Sequence, residues 1–128
     1  MDPDIFDWYI ERGYKGLVIE GTGLGHVNVS NSKFSFLPKI KKARKEGMII
    51  AMTSQCIYGR VNSWIYSNLR KLREAGVLYL EDMLAECALV KLMWALGKSK
   101  EEEEVKKIML SNLANELNPR ISPKTFLF

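Results

Sequence analysis

The stretch Glu46-Gly47-Met48-Ile49-Ile50 decides the fold, because a glycine stop is followed at once by an apolar run. The same order recurs at Glu11-Arg12-Gly13 before Leu17-Val18-Ile19, and at Glu74-Ala75-Gly76 before Val77-Leu78-Tyr79. Each glycine suits the left-handed conformation that commonly follows the last turn of a helix. The runs are apolar on both sides, as in strands that helices cover on both faces. The sequence therefore predicts an α/β fold with a small, mainly parallel sheet and helices on both faces.

Amphipathic patterns predict the helices around these strands. Asp2 and Pro3 suit the cap and first position of the opening helix. Ser99 and Glu102 have capping-box spacing at the last helix, whose glutamate run then lies at the positive end of the helix dipole. The apolar positions that mark the first three helices are Ile5, Phe6, Tyr9 and Ile10; Phe36, Leu37, Ile40 and Ala43; and Ile65, Leu69 and Leu72.

The helix predicted from about Met83 to Leu96 lacks a wholly polar side, since only Glu86 and Lys91 interrupt it. It is too short for the roughly 18 to 20 apolar residues that span a bilayer, so no membrane span is predicted. Two interpretations remain: the helix is covered by a subunit or domain interface, or it is the central core helix of one compact domain.

Composition indicates one domain of 128 residues with a net charge of +4. The acidic N-terminus and the two distant cysteines, Cys56 and Cys87, favour a cytoplasmic protein with reduced thiols and neither a metal site nor a cofactor. A helical solvated face is the favoured interpretation of the basic cluster, with a basic RNA-binding domain as the alternative. That cluster consists of Lys39, Lys41, Lys42, Arg44 and Lys45.

Two loops follow predicted strands and form the candidate site. The first is Glu20-Gly21-Thr22-Gly23-Leu24-Gly25-His26, which departs from the dinucleotide fingerprint because His26 replaces its third glycine. The second is Thr53-Ser54-Gln55-Cys56-Ile57-Tyr58-Gly59-Arg60-Val61-Asn62. Both should lie at the carboxyl-end rim of the sheet, where a Cys56–His26 nucleophilic pair is a minor alternative to simple packing.

These loops, with Glu81-Asp82-Met83, Val90-Lys91-Leu92-Met93-Trp94 and Glu116-Leu117, resemble the C-terminal domain of archaeal glutamyl-tRNA(Gln) amidotransferase D subunits, in the asparaginase/glutaminase family. The resemblance implies a two-domain amidohydrolase that frees ammonia from glutamine or asparagine with a threonine nucleophile in the N-terminal domain. None of the threonines here is followed by aspartate. No catalytic residue is therefore expected in this chain, and the chain alone should be inactive.

The resemblance also implies a strand before the first helix. We therefore expect residues 1–128 to form a single C-terminal asparaginase-like domain that lacks its first strand. The implied partners are a separate N-terminal domain that supplies this strand, a second copy in a homodimer or heterotetramer, and, indirectly, the amidotransferase E subunit and tRNA. Leu24 stands where secreted relatives carry a substrate-contacting asparagine, so no polar role is expected of it.

The resemblance makes the two loops candidates for the rim of a dimer's active site. For each candidate the alternative is a packing role, such as a turn glycine, a loop-stabilising hydroxyl or a surface salt bridge. A non-catalytic interaction module is the alternative for the whole chain. The candidate rim residues are Thr22, Gly23, His26, Thr53, Gln55 and Arg60.

Overall fold

A computed structural model describes residues 1–125 of the protein. Helices and strands alternate along the chain, and a short 3₁₀ turn follows them at Pro123–Thr125. The elements in chain order are α1 Ile5–Glu11, β1 Gly16–Gly21, α2 Leu37–Lys45, β2 Ile49–Ser54, α3 Ser67–Glu74, β3 Leu78–Tyr79, α4 Ala85–Lys98 and α5 Glu102–Met109.

The sheet has the order β1-β2-β3, and both pairings are parallel. β1 pairs with β2 along its whole length, with Gly16 opposite Ile49 and Gly21 opposite Ser54. β2 is the central strand, and all its residues but the last are buried. The predicted α/β class with a small parallel sheet is therefore confirmed.

Side chains of β2 alternate between two apolar clusters, one on each face of the sheet. Ile50 and Met52 point toward the face that α1, α2 and α3 cover, whereas Ile49 and Ala51 point toward α4 and α5. This alternation follows from the period of two along a strand. The prediction of helices on both faces is confirmed.

The three predicted glycine stops all adopt the left-handed conformation, with φ of 74° at Gly13, 80° at Gly47 and 89° at Gly76. Each ends a helix and turns the chain toward the following strand. None of the helices in residues 1–125 is long and apolar enough to cross a membrane.

Two predicted helix starts differ in the structure. The Asp2 carboxylate accepts the Asp4 N–H, as a cap does, but α1 begins only at Ile5 because the preceding residues form a tighter turn, with bonds from Ile5 to Asp2 and from Phe6 to Pro3. At α5 the capping box is wrong: Ser99 accepts the Glu101 N–H, while the Glu102 carboxylate pairs with other side chains.

The apolar pattern places Ile65 on the inward face of the third helix, and this prediction is wrong. The residue precedes α3 and is 54% exposed, whereas Leu69 and Leu72 are fully buried. Spacings of four and three extend the apolar pattern into the loop, where the backbone is not yet helical.

α4 is apolar on two sides, as predicted. One side, with Ala88, Leu92 and Ala95, is buried against the sheet. Another side exposes large apolar residues to solvent, so α4 is not a covered central helix. These exposed residues are Leu89, Val90, Met93 and Trp94.

Candidate functional site

The loops after β1 and β2 meet at the carboxyl-end rim of the sheet, as expected. We call residues 20–26 the glycine loop and residues 55–62 the rim loop. The Gln55 N–H donates to the Gly21 carbonyl at 2.9 Å, and the Asn62 N–H donates to the Leu24 carbonyl at 3.0 Å. The two loops are therefore joined by hydrogen bonds at both ends of the rim loop.

The glycine loop folds back on itself through an antiparallel bridge between Thr22 and His26. The Thr22 N–H donates to the His26 carbonyl at 3.0 Å, and the His26 N–H returns to the Thr22 carbonyl at 2.9 Å. Gly25 lies inside this turn with φ of 97°. A Cβ there would come within 3.0 Å of Tyr79, Met52 and Val61, so the turn requires glycine.

Three predicted rim residues lie in the glycine loop. Thr22 and Gly23 are exposed, and the Gly23 carbonyl accepts the Ser54 hydroxyl at 2.6 Å. The His26 ring is half-buried and lies 5.3 Å from the Tyr66 ring, centroid to centroid. The structure thus brings all three to the rim, with Gly23 contributing through its backbone.

Thr53 and Gln55 lie at the end of β2 in different environments. Thr53 is fully buried, and its hydroxyl points at the Ile19 carbonyl, 3.5 Å away. Gln55 is exposed and its side chain is open to solvent. Thr53 can therefore shape the rim only through the sheet, whereas the Gln55 amide can reach a ligand or partner.

Arg60 is held in place by the turn between β3 and α4. Its guanidinium pairs with the Glu81 carboxylate and reaches the Asn118 carbonyl at 3.4 Å. The Arg60 side chain is 18% exposed, so most of it is enclosed by this contact. The salt-bridge interpretation considered for this residue therefore describes its observed contact.

The structure shows no hydrogen bond between Cys56 and His26. Cys56 is exposed and its N–H donates to the Ser54 hydroxyl, whereas the His26 ring contacts Tyr66. A nucleophilic thiol needs an adjacent base or positive charge. This geometry gives the thiol alternative no support.

Two residues that hydrogen-bond to the glycine loop were not among the predicted site residues. The Ser54 hydroxyl links the rim loop to Gly23, and the buried Tyr79 hydroxyl donates to the Gly25 carbonyl at 3.3 Å. Burial raises the pKa of the Tyr79 phenol, so this hydroxyl keeps its proton for the hydrogen bond. Ser54 has a sequence signal, since it is a polar residue at the end of an apolar strand; Tyr79 looks like an ordinary core aromatic.

The basic cluster on α2 is only partly a solvated face. Lys39 pairs with Asp4 and Asp7 at 2.6 Å, and these contacts raise the pKa of Lys39. Arg44 is 12% exposed, because it pairs with Glu102 and donates to the Met48 carbonyl. The prediction of a solvated face is therefore wrong at Arg44, which links α2 to α5.

Comparison with known families identifies the fold. The profile of the Glutaminase/Asparaginase C-terminal domain matches residues 1–109. This chain belongs to that family. The asparaginase C-terminal domain predicted from the two loops is thereby confirmed.

Relatives of this asparaginase C-terminal domain include longer amidotransferase chains. It is 50% identical over 127 residues to the D subunit of the glutamyl-tRNA(Gln) amidotransferase of Pyrococcus furiosus, covering 99% of the chain and 28% of that protein. It is 52% identical over 122 residues to the corresponding D subunit of Metallosphaera sedula, covering 95% of the chain and 27% of that protein. The domain thus spans less than a third of the length of these relatives.

A solved structure shares the fold. The thermostable L-asparaginase from Thermococcus kodakarensis superposes with a TM-score of 0.84 at 34% identity. The match covers 94% of this chain and 35% of that protein. The asparaginase C-terminal domain architecture is therefore shared by enzymes whose names give different overall roles.

Proposed function

We propose that this asparaginase C-terminal domain is the site-closing half of a glutamine- or asparagine-hydrolysing enzyme, acting in the cytoplasm within a D-type subunit of a glutamyl-tRNA(Gln) amidotransferase. The observation that carries the proposal is the identity of about half of all residues to such subunits over nearly the whole chain. The rim loop and glycine loop are the parts that would face the substrate site. The catalytic groups would come from the N-terminal part of the enzyme.

The outer edge of β1 supports the proposed N-terminal partner. The Ile49 N–H donates to the Lys15 carbonyl and the Gln55 N–H to the Gly21 carbonyl, so the odd-numbered residues of β1 hydrogen-bond to β2. In a parallel pairing the intervening residues then direct their backbone groups to the opposite side. The N–H and C=O groups of Gly16, Val18 and Glu20 therefore face away from β2.

An apolar groove runs along this edge between α1 and α4. Its volume is about 610 Å³. Backbone from β1 forms its floor, and side chains of α1 and α4 form its walls. We call it the edge groove, and the apolar side chains that line it include Tyr9, Leu17, Leu89, Met93 and Leu96.

The handedness of the crossovers defines which segment fits the edge groove. α1 and α2 pack on the same face of the sheet, since Phe6 and Ile40 belong to one cluster. Crossovers between parallel strands are right-handed. A strand that precedes α1 would therefore lie beside β1, on the side away from β2. An extended apolar segment from the polypeptide that carries the N-terminal part fits this position, because it would hydrogen-bond to the backbone groups of β1 that face away from β2.

Reconstitution tests the proposed function. The chain is mixed with the N-terminal part of a D-type subunit, and ammonia release from glutamine and asparagine is measured. The complex is expected to release ammonia, whereas the chain alone should not. Ammonia release by the chain alone, with contaminating amidases excluded, would contradict the proposal.

The alternatives predict other outcomes. A stable complex that releases no ammonia from either amide would favour a non-catalytic interaction module. Binding of RNA by the chain alone that weakens steeply with salt would favour a basic RNA-binding domain. The mass of the active complex, measured by light scattering, decides between a homodimer and a heterotetramer, and added E subunit and tRNA test the wider assembly.

A further inference from the structure

Residues 111–118 follow α5 and run back toward the rim; we call them the strap. One end of the strap is anchored on α4. Lys91 is only 7% exposed, and its ammonium donates to the Glu116 carboxylate at 2.5 Å and to the Ser111 carbonyl. The Glu116 carboxylate also accepts the Ala114 N–H at 2.6 Å, which shapes the strap's own turn.

The other end of the strap is bonded to the turn between β3 and α4. The Asn118 N–H donates to one oxygen of the Asp82 carboxylate at 2.8 Å, and the Asn118 amide donates to the other at 2.7 Å. Such a two-point contact with a carboxylate fixes direction as well as distance. The strap therefore ties α4 to the turn at Asp82.

The same turn holds the end of the rim loop. The Glu81 carbonyl accepts the Val61 N–H at 2.7 Å, and the Glu81 carboxylate pairs with Arg60. Glu81 has φ of 54°, which is uncommon for a residue with a side chain. Such a conformation persists when its surroundings fix it, and the contacts of Asp82 and Arg60 do so here.

We propose that the strap positions the rim loop, with Asp82 and Asn118 as the positioning residues and the Lys91–Glu116 ion pair as the anchor. The contacts run without interruption from α4 through the strap to the turn, and from the turn to Arg60 and Val61. Arg60 also contacts the strap directly, because its guanidinium donates a hydrogen bond to the Asn118 carbonyl. The inference deepens the proposed function and rests on it, since this loop is the part assigned to closing the substrate site.

Hydrogen exchange of the full chain tests the inference without any enzyme assay. In Asp82→Ala the two Asn118 contacts are lost, so exchange at the Val61 N–H is expected to accelerate about tenfold or more while exchange in β2 stays unchanged. Asn118→Ala should give a smaller acceleration at the same amide. The matched control is Asn112→Ala, because Asn112 is an exposed strap residue whose side chain makes no hydrogen bond within residues 1–125. This control variant should change neither the exchange at the Val61 N–H nor the exchange in β2.

A conservative variant separates positioning from general stability. Asp82→Asn keeps one carbonyl oxygen that can accept the Asn118 N–H, so it should restore part of the protection at Val61. Unchanged exchange at Val61 in Asp82→Ala would overturn the inference. Equal acceleration in β2 would overturn it too, because the strap would then contribute only to overall stability.

The reconstituted enzyme gives a second readout. Asp82→Ala is expected to raise the KM for the amide about threefold or more with little change in kcat, because a loosened loop binds substrate less well before reaction. An unchanged KM would contradict a role of the strap at the substrate site. If no complex releases ammonia, the proposed function fails, while the exchange result still decides whether the strap positions the loop.

Discussion

Substitution of Gly25 should disturb the rim. Its φ of 97° is strained for any side chain, and a Cβ would collide with Tyr79, Met52 and Val61. We expect Gly25→Ala to lower the free energy of unfolding by about 3 kcal/mol, measured by urea denaturation. A loss below about 0.5 kcal/mol would show that the turn adapts, contrary to this prediction.

Gly97 provides the matched control for Gly25. It lies in α4, and apart from the adjacent backbone of that helix, a Cβ there would meet no atom of residues 1–125 within 4 Å. Gly97→Ala should therefore raise the free energy of unfolding by about 0.5 to 1 kcal/mol, because alanine favours the helix. If the free energy of unfolding changes in opposite directions in the two variants, the loss in Gly25→Ala is due to strain and not to the added methyl group itself.

Glu116 should make stability depend on acid pH. The hydrogen bond from Lys91, with those from backbone N–H groups of the strap, lowers the pKa of Glu116 from its ordinary value of 4.5 to about 2. Because the pKa is lower in the folded state, the stabilisation is complete above about pH 5 and is lost as the pH falls toward 2. The urea concentration at the midpoint of unfolding should therefore decrease as the pH is lowered from about 5 to 2.

A variant series isolates this contribution. At neutral pH, Glu116→Gln is expected to lower the free energy of unfolding by about 3 kcal/mol, since Lys91 is left buried beside a neutral group. The difference in free energy of unfolding between Glu116→Gln and the wild type should become smaller as the pH falls below 4.5. Glu104→Gln is the control, because Glu104 is exposed and pairs with no cation within residues 1–125. A difference that stays constant with pH would contradict the assignment to Glu116.

Single residues were the hardest features to predict from the sequence. Arg44 and its lysine neighbours share one pattern, but only Arg44 meets a carboxylate from α5, whose position depends on the tertiary fold. Thr53 ends an apolar strand and resembles a loop residue, yet the sheet buries it completely. In both cases partners distant in sequence determine the environment.

Helices, strands and their order were predictable because they follow from local patterns. The glycine stops at Gly13, Gly47 and Gly76 placed all three strands, and the conformations of these glycines agree. Helix starts were less predictable: Ser99 and Glu102 have the right spacing, but Glu102 makes stronger contacts with Lys106 and Arg44. Lys106 lies one helical turn from Glu102 and Arg44 is distant in sequence, and the capping-box spacing takes account of neither competitor.

A charged side chain on the groove-facing side of α4 should weaken binding of the N-terminal polypeptide. Leu89 lines the edge groove and is 51% exposed, so Leu89→Asp should leave the fold intact while opposing insertion of an apolar strand. Affinity for the N-terminal polypeptide, measured by calorimetry, is expected to fall about tenfold or more. Leu113→Asp is the control, since Leu113 is 57% exposed and lies outside the groove. Equal losses in both variants would argue against the groove.

The whole molecule should bind RNA weakly despite its positive charge. Six of its nineteen lysine and arginine side chains pair with acids within residues 1–125, so these six are less available to displace counterions from phosphates. Fluorescence anisotropy with single-stranded RNA should give weak binding with little dependence on KCl concentration. Tight binding that weakens steeply with salt would contradict this expectation. The cations paired in the structure are Lys39, Lys42, Arg44, Arg60, Lys91 and Lys106.

β2 contributes side chains to both apolar clusters, with Ile50 and Met52 on one face and Ile49 and Ala51 on the other. We expect the two clusters to unfold together, because displacement of β2 would expose apolar side chains of both clusters to water. Heating should therefore produce a single cooperative transition, with one calorimetric peak for the entire chain. Because the two clusters unfold together, a partner that binds either face of the folded chain should raise the unfolding temperature of both.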